Sequence, residues 1–277
     1  MDIGSGRLFN NDFIGDGADR WRTGSYVYSR IRAPRAFGAE SAFGELLEYR
    51  LRGEIIASDP SAVAPGDRPY VGALSFGVHT HFDYGSALVS LGVDATAIGP
   101  QTGMSRFQAA FHDRLGMPEP VFTDGQLGDA VYLGGTAAVT TSIDVAPSTA
   151  LRPFIEAQIG VEDTLRVGGD LIFGPVGQAE LLLRDVVTGQ LYRATDNGET
   201  GFSFVVGGDI AAVGDSVYLP QDRGVTPNDL RKRARAGVHY QHREGVSFFY
   251  GLTYLGGEFQ GQSDGQVIGS LKLNFNF

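Results

Sequence analysis

The sequence predicts an all-β fold: a twelve-stranded antiparallel transmembrane β-barrel, with a short rim helix in the 98–129 connection. Three observations predict it. Apolar and polar residues alternate along most of the chain, which places them on opposite faces of strands. The alternating segments number twelve, an even count. Nearly all are about 10–13 residues long, close to the roughly 9–11 of a tilted bilayer-crossing strand and longer than the roughly 5–6 of a globular sheet.

Composition narrows the class. The chain has 277 residues, 42% of them hydrophobic, and a formal net charge of −10. With no Cys there is no disulfide framework, thiolate metal site or thiol nucleophile. The acidic balance lacks the basic footprint of a nucleic-acid binder, and the apolar fraction is too high for a disordered chain. No run approaches 18 apolar residues, so no transmembrane helix is expected. The start at Met1-Asp2 shows no charged and apolar leader, as expected of a mature exported form with an added Met. No internal repeat or low-complexity stretch divides the chain, so 1–277 is expected to be a single domain.

In chain order, strands are expected at 4–14, 22–32, 45–56, 70–82, 86–97, 130–143, 150–161, 164–174, 201–219, 230–242, 246–256 and 267–277. Leu47, Tyr49, Leu51, Gly53 and Ile55 share one face of the third, opposite Glu48, Arg50, Arg52 and Glu54. Leu151 through Val161 and Leu165 through Phe173 alternate in the same way. Ala234, Ala236, Val238 and Tyr240 oppose Arg233, Arg235 and His239. The last strand sets Leu271, Leu273, Phe275 and Phe277 against Ser270, Lys272, Asn274 and Asn276, and ends on an aromatic residue as outer-membrane barrels do. The polar faces mix both signs of charge, which suits a narrow ion-paired lumen. Arg231, Arg233 and Arg235 are expected to line it, and the His79-x-His81 pair reads as polar filling rather than a metal edge. With both termini periplasmic, the connections 15–21, 57–69, 98–129, 162–163, 220–229 and 257–266 lie outside the cell. The turns at 83–85 and 243–245 are short periplasmic ones, and 175–200 is a long periplasmic excursion.

The only expected helix is Ser105–Leu115, ended by Gly116 and Pro118. Phe107, Ala110, Phe111 and Leu115 form its apolar stripe, and Gln108 and His112 sit one turn apart. A second polar cluster, Asn11-Asp12 followed by Asp19-Arg20-Trp21-Arg22-Thr23, falls at the same outward end. His can act as a base near neutral pH, and Asp and Asn oxygens suit a hard cation such as Ca²⁺. Together they could hydrolyse an ester without a Ser or Cys nucleophile. The plainer readings are a solvated rim histidine, turn residues at Asn11-Asp12, and a local Asp19–Arg20 ion pair.

Asn11-Asp12, Asp19-Arg20-x-x-Thr23, Gly66-Asp67-Arg68-Pro69-Tyr70, Ile98-Gly99-Pro100, Gln108, His112 and Gln126, in that order and spacing, resemble the outer-membrane lipid A 3-O-deacylase family (LpxR-type). The resemblance implies a bacterial outer-membrane hydrolase that removes the 3-O-linked acyloxyacyl group of lipid A, the lipopolysaccharide anchor in the outer leaflet. It implies His112 as general base, Asn11 and Asp12 at a cation and oxyanion site, Thr23 alongside, and Gln108 supporting the histidine. The implied cofactor is Ca²⁺ or another divalent cation, with a phospholipase A2-like mechanism. Arg20, Arg22 and Arg68 are the expected substrate-binding cations. The family pattern has a Lys in the 57–69 connection, where this chain has Arg68 as its one basic residue. It has Tyr at the position of Arg22 and Gly at that of Ser25. A membrane-embedded monomer with no nucleic-acid partner is expected. The alternatives are an outer-membrane phospholipase, and a non-catalytic pore or structural barrel with a vestigial site.

Overall fold

The structure, a computed structural model, describes all residues except 36–39, 60–66, 118–119, 121–124, 178–179, 197, 243–245 and 275–277, and the side chain of Leu115. Gly66, Pro118, the turn 243–245 and the terminal Phe275 and Phe277 therefore lie outside the described residues. Among the rest, strand order matches the alternation closely. The wall runs β1 (Asp2–Asn11), β2 (Trp21–Arg32), β3 (Leu46–Ala57), β4 (Val71–Tyr84), β5 (Ala87–Ile98), β6 (Ala130–Thr141) continued by β7 (Ile143–Ala146), β8 (Thr149–Ile159) and β9 (Glu162–Phe173). After an inserted hairpin, β10 (Leu182–Arg184) and β11 (Leu191–Arg193), it resumes as β12 (Gly201–Ser216), β13 (Leu230–Gln241), β14 (Ser247–Leu255) and β15 (Gln266–Asn274). Taking β6 and β7 as one stave gives twelve. Every neighbour is antiparallel, and the ring closes where Phe9 of β1 pairs Leu271 of β15. Closure pairs the backbone and removes sheet edges, the condition for a strand to cross hydrocarbon.

Alternation sorts the side chains as the sequence predicts. Leu51, Phe76, Val93, Leu133, Leu165 and Phe204 stand exposed on the outer face. Inside, Arg50 and His81 hold Glu48 (2.7 and 3.0 Å), Arg166 and Arg233 converge on Asp209 (2.7 and 2.9 Å), and Arg235 reaches Asp170 (2.6 Å). His79 pairs with Asp94 at 3.3 Å. A lumen filled in this way gives these buried charges opposite partners.

Within the 175–200 excursion, the stretch from Leu181 to Ala194 folds back into the barrel, which the alternation did not reveal. The β10–β11 hairpin packs Leu181, Leu183, Tyr192 and Ala194 against the inward Leu8, Val27, Ile31 and Phe249. Gln190 donates to the carbonyls of Ala236 (3.2 Å) and Leu252 (3.1 Å) of the wall, and Arg184 bonds Asp170 at 2.8 Å. Glycines make the room: a Cβ at Gly251 would lie 2.7 Å from the Gln190 amide nitrogen, and one at Gly6 would lie 2.8 Å from the Tyr192 ring. The hairpin is a plug.

A second irregularity positions the site. Register slips between Trp21 and Gly24 where β2 meets β3, and Trp21 has φ 52°. Such a bulge re-aims side chains at a strand end. Here the consecutive residues Arg22 and Thr23 serve opposite sides of the wall. Arg22 points into the lumen, where it meets Glu54 (2.6 Å), Glu162 (2.6 Å) and Glu258 (2.9 Å). Thr23 turns to the groups described next.

Candidate active site

Helix α1 (Met104–Leu115) lies against the outer face of β3 and β4, at the rim opposite the chain termini. It starts after Gly103 (φ 70°) and stops at Gly116 (φ 64°), both in left-handed backbone, the stop being the one the sequence predicts. Its burial reverses that of an ordinary amphipathic helix. Gln108 and His112 are 4% and 5% exposed against the wall, whereas Phe107 and Phe111 are 59% and 46% exposed. That arrangement suits a helix whose outer surroundings are hydrocarbon.

Between α1 and the wall lies a cleft of about 580 Å³. Phe9, Tyr26, Leu51, Leu74, Met104 and Phe111 are among its apolar lining, and Asn11, Asp12, Asp19, Thr23, Gln108 and His112 form its polar end. The cleft faces the lipid side of the barrel, with the wall between it and the lumen.

Asp19 is the hub of the polar end. Its carboxylate is 3.4 Å from His112 Nε2, accepts from Gln108 Nε2 at 3.2 Å, and contacts Thr23 Oγ1 at 2.5 Å. The same Thr23 hydroxyl lies 3.0 Å from Asp12 Oδ1. The other Asp12 oxygen accepts from the backbone N–H of Arg20 (2.8 Å) and from Gln266 Nε2 (3.3 Å). Burial, with the negative charges of Asp19 and Asp16, pushes the Asp12 carboxyl up to about 8 despite these donors. One hydroxyl proton cannot serve two carboxylates, so Asp12 is matched either by a proton of its own or by a cation.

A hard cation fits that demand. Ca²⁺ takes carboxylate, amide and backbone oxygens. Asp12 has the raised carboxyl, and Gln108 Oε1 is buried with no hydrogen-bond partner. Among the described residues no group of three or more His, Asp or Glu forms a complete ligand set, so amide, backbone or water oxygens would complete the shell.

The sequence-derived residues separate into two groups. His112, Gln108, Thr23, Asp12 and Asn11 come together at the cleft. Asn11 uses its side chain locally: Oδ1 accepts from the N–H of Phe13 (2.9 Å) and Nδ2 donates to the Thr23 carbonyl (3.0 Å), holding the turn after β1. The three arginines do not join them. Arg20 stacks 4.3 Å over the Trp21 ring and pairs with Asp59 (3.3 Å) and, at 4.0 Å, Asp16, so its backbone rather than its guanidinium serves the site. Arg22 and Arg68 are buried on the lumen side, Arg68 2.5 Å from Glu258. Substrate binding does not fit either of them, because the wall separates them from the cleft. The plainer reading, a local Asp19–Arg20 pair, gives way to the Asp19–His112 contact. Only the D-R-x-x-T order in the sequence hinted at Asp19.

Comparison with known proteins agrees with this architecture. The family model described as "Outer membrane protein LpxR" matches residues 56–277, which take in Gln108 and His112 and begin after Asn11, Asp12 and Thr23. No curated protein sequence matches. Among solved structures, LpxR from Salmonella typhimurium has a TM-score of 0.74 at 17% identity, over 99% of this chain and 100% of that one. At that identity the likeness is one of fold. The β-domain of the Bordetella autotransporter Brka gives a TM-score of 0.47 at 10% identity, over 100% of this chain and 99% of that one. With four-fifths of its length matched by the family model, the chain belongs to the LpxR family of outer membrane proteins.

Proposed function

We infer that the chain is an outer-membrane lipid A 3-O-deacylase, and that the cleft under α1 is where it cuts. Family membership supports the enzyme class. One observation in the molecule carries the site: His112 meets Asp19 at the polar end of an apolar cleft that opens to lipid and not to the lumen. An amphiphilic ester can enter such a cleft from the bilayer with its acyl chain along the wall.

His112 acts as general base, taking a proton from the water that attacks the ester carbonyl. Asp19 holds the ring and stabilises the imidazolium that forms. Gln108 donates to Asp19 and fixes the carboxylate. The protonated ring then returns its proton to the departing 3-oxygen of the sugar, leaving a free 3-hydroxyl and an acyl carboxylate. Asp12, with Gln108 Oε1, would hold the divalent cation. When bound, that cation supplies positive charge to the developing oxyanion. Phe107 and Phe111 anchor α1 in the acyl region of the outer leaflet. Closure of the barrel within one chain supports action as a monomer.

The test is incubation of refolded protein with lipid A and Ca²⁺, followed by mass spectrometry. The expected product has lost the 3-O acyl unit. No loss with the wild type, or equal loss with His112→Ala, overturns the reading. Cleavage of glycerophospholipid vesicles in place of lipid A makes the protein a phospholipase.

A further inference from the structure

We propose that Gly53 sets the length of acyl chain the cleft accepts. The inference rests on the deacylase reading and adds the feature of substrate that the site measures.

The wall beneath α1 is built in rows. Asn11, Gly24, Ile55 and Gly72 pair across β1–β4 level with the polar groups. One outward position deeper comes the row Phe9, Tyr26, Gly53 and Leu74, and Leu51 continues the lining below. A chain that starts at His112 and runs along the wall must pass the middle row to reach Leu51. Tyr26 and Leu74 narrow that row from both sides, Met104 covers it, and Gly53 is the position without a side chain.

The two glycines under α1 have different jobs. A Cβ on Gly72 would fall 2.6 Å from Met104 Cβ and 2.7 Å from Thr102 Oγ1, so Gly72 is where the helix root seats on the wall. A Cβ on Gly53 would sit 3.5 Å from Leu74 Cδ2 and 3.9 Å from Met104 Sδ, ordinary contacts. A Cβ at position 53 thus meets only ordinary contacts, and the atoms of a larger side chain beyond it take their room from the passage. Outward aliphatic residues are also the norm on these strands, so Gly53→Leu leaves the wall intact.

The experiment measures kcat/KM for glucosamine esters graded in 3-O-acyl length, with Gly53→Leu beside the wild type. Val93→Leu, on the lipid face away from the cleft, is the control. Heat-modified gel mobility verifies closed barrels. The expected result is that Gly53→Leu lowers the long-to-short ratio by about tenfold or more, since each displaced methylene is worth roughly fourfold. Short esters are still cut, and Val93→Leu keeps the wild-type profile. A uniform loss at all lengths, or an unchanged ratio, overturns the ruler. Non-hydrolysable 3-O-alkyl ethers of the same lengths, read by the shift in thermal midpoint, separate binding from chemistry. If the wild type cuts nothing yet long ethers stabilise it and not Gly53→Leu, the deacylase reading falls and the ruler stands. If esters are cut and the variant responds to long ethers as the wild type does, the ruler falls alone.

Discussion

Asp19→Asn is the sharpest probe of the polar end. The change keeps the size and shape of the side chain, and its amide oxygen can still accept from Thr23 or Gln108. It removes the negative charge 3.4 Å from His112 Nε2. A hydrogen bond to a charged group contributes about 1.5–3 kcal/mol. Here 32% of the Asp19 side chain is exposed, so solvent screening brings the figure toward roughly 1–2 kcal/mol. Because the imidazolium exists only once His112 has taken a proton, that energy belongs to the transition state, and kcat should fall about 5–30-fold with KM nearly constant. Initial rates on lipid A, read by mass spectrometry over a range of substrate concentrations, give both constants. Undiminished kcat in Asp19→Asn, or a loss carried wholly by KM, refutes the positioning role. Full rescue by raised Ca²⁺ would make Asp19 a cation ligand instead. In a His112→Ala background the Asn change should cost little more, because the two residues act as one unit.

Other expectations concern the lumen. Arg22→Ala removes the cation shared by Glu54, Glu162 and Glu258 and should destabilise the barrel by about 3–5 kcal/mol. KM for lipid A should stay unchanged in the fraction that folds, and a KM effect without a shift in the denaturation midpoint would restore Arg22 as a substrate ligand. Burial alone would raise the Glu258 carboxyl, but Arg22, Arg68 and Arg231 hold it well below the usual carboxylate range. Its stabilising contribution is therefore complete above the unfolded value of about 4.3 and is lost as pH falls through the depressed folded value. Urea midpoints measured downward from pH 4 should drop for the wild type and flatten for Glu258→Gln. Replacing residues 175–200 by a short Gly-Ser linker should turn a non-conducting barrel into an open pore in planar bilayers. Conductance equal to that of the wild type would show that the β10–β11 hairpin does not seal the lumen.

The wall was legible because one constraint acts on every stave: each alternate residue must suit hydrocarbon and each other one the lumen. Over ten residues that leaves a period-two record, and strand ends followed within a few residues. The plug left none. β10 and β11 are three residues each, too short for a period, and they are held by side chains such as Gln190 and Tyr192 that read as ordinary loop polarity. The side of the wall on which Arg22 falls was hidden for a related reason. Alternation carries a residue to the correct face only while register holds, and the slip at Trp21 breaks it one residue earlier. Arg68 looks like a surface cation in sequence because its partner, Glu258, is 190 positions away. The candidate site was legible where chemistry and spacing coincide, as with Gln108 and His112 on one helix face. Asp19 was hidden because Arg20 beside it offered a local partner, and that guanidinium is engaged by Asp59 and Trp21 instead.

Why the polar groups sit outside the wall follows from where the substrate is. A lumen crowded by arginine–carboxylate pairs and closed by a hairpin has no route for a lipid. A lipid already in the outer leaflet needs only a lateral opening at the depth of its ester. Carboxylates facing hydrocarbon are costly, and the fold meets that cost in two ways. Asp12 takes a backbone N–H, a glutamine amide and a threonine hydroxyl, and α1 roofs the group with Gln108 and His112 turned inward. Phe107 and Phe111, one residue round the same helix at the edge of the cleft, then present to lipid what the wall itself presents. A helix that was apolar inward would seal the cleft and leave Asp19 without the imidazole. The reversed helix lets one element screen the charges, deliver the base and admit the chain, so Phe107→Asp should loosen α1 and lower activity although Phe107 touches none of the reacting groups. Activity equal to the wild type in lipid bilayers would refute this account of the roof.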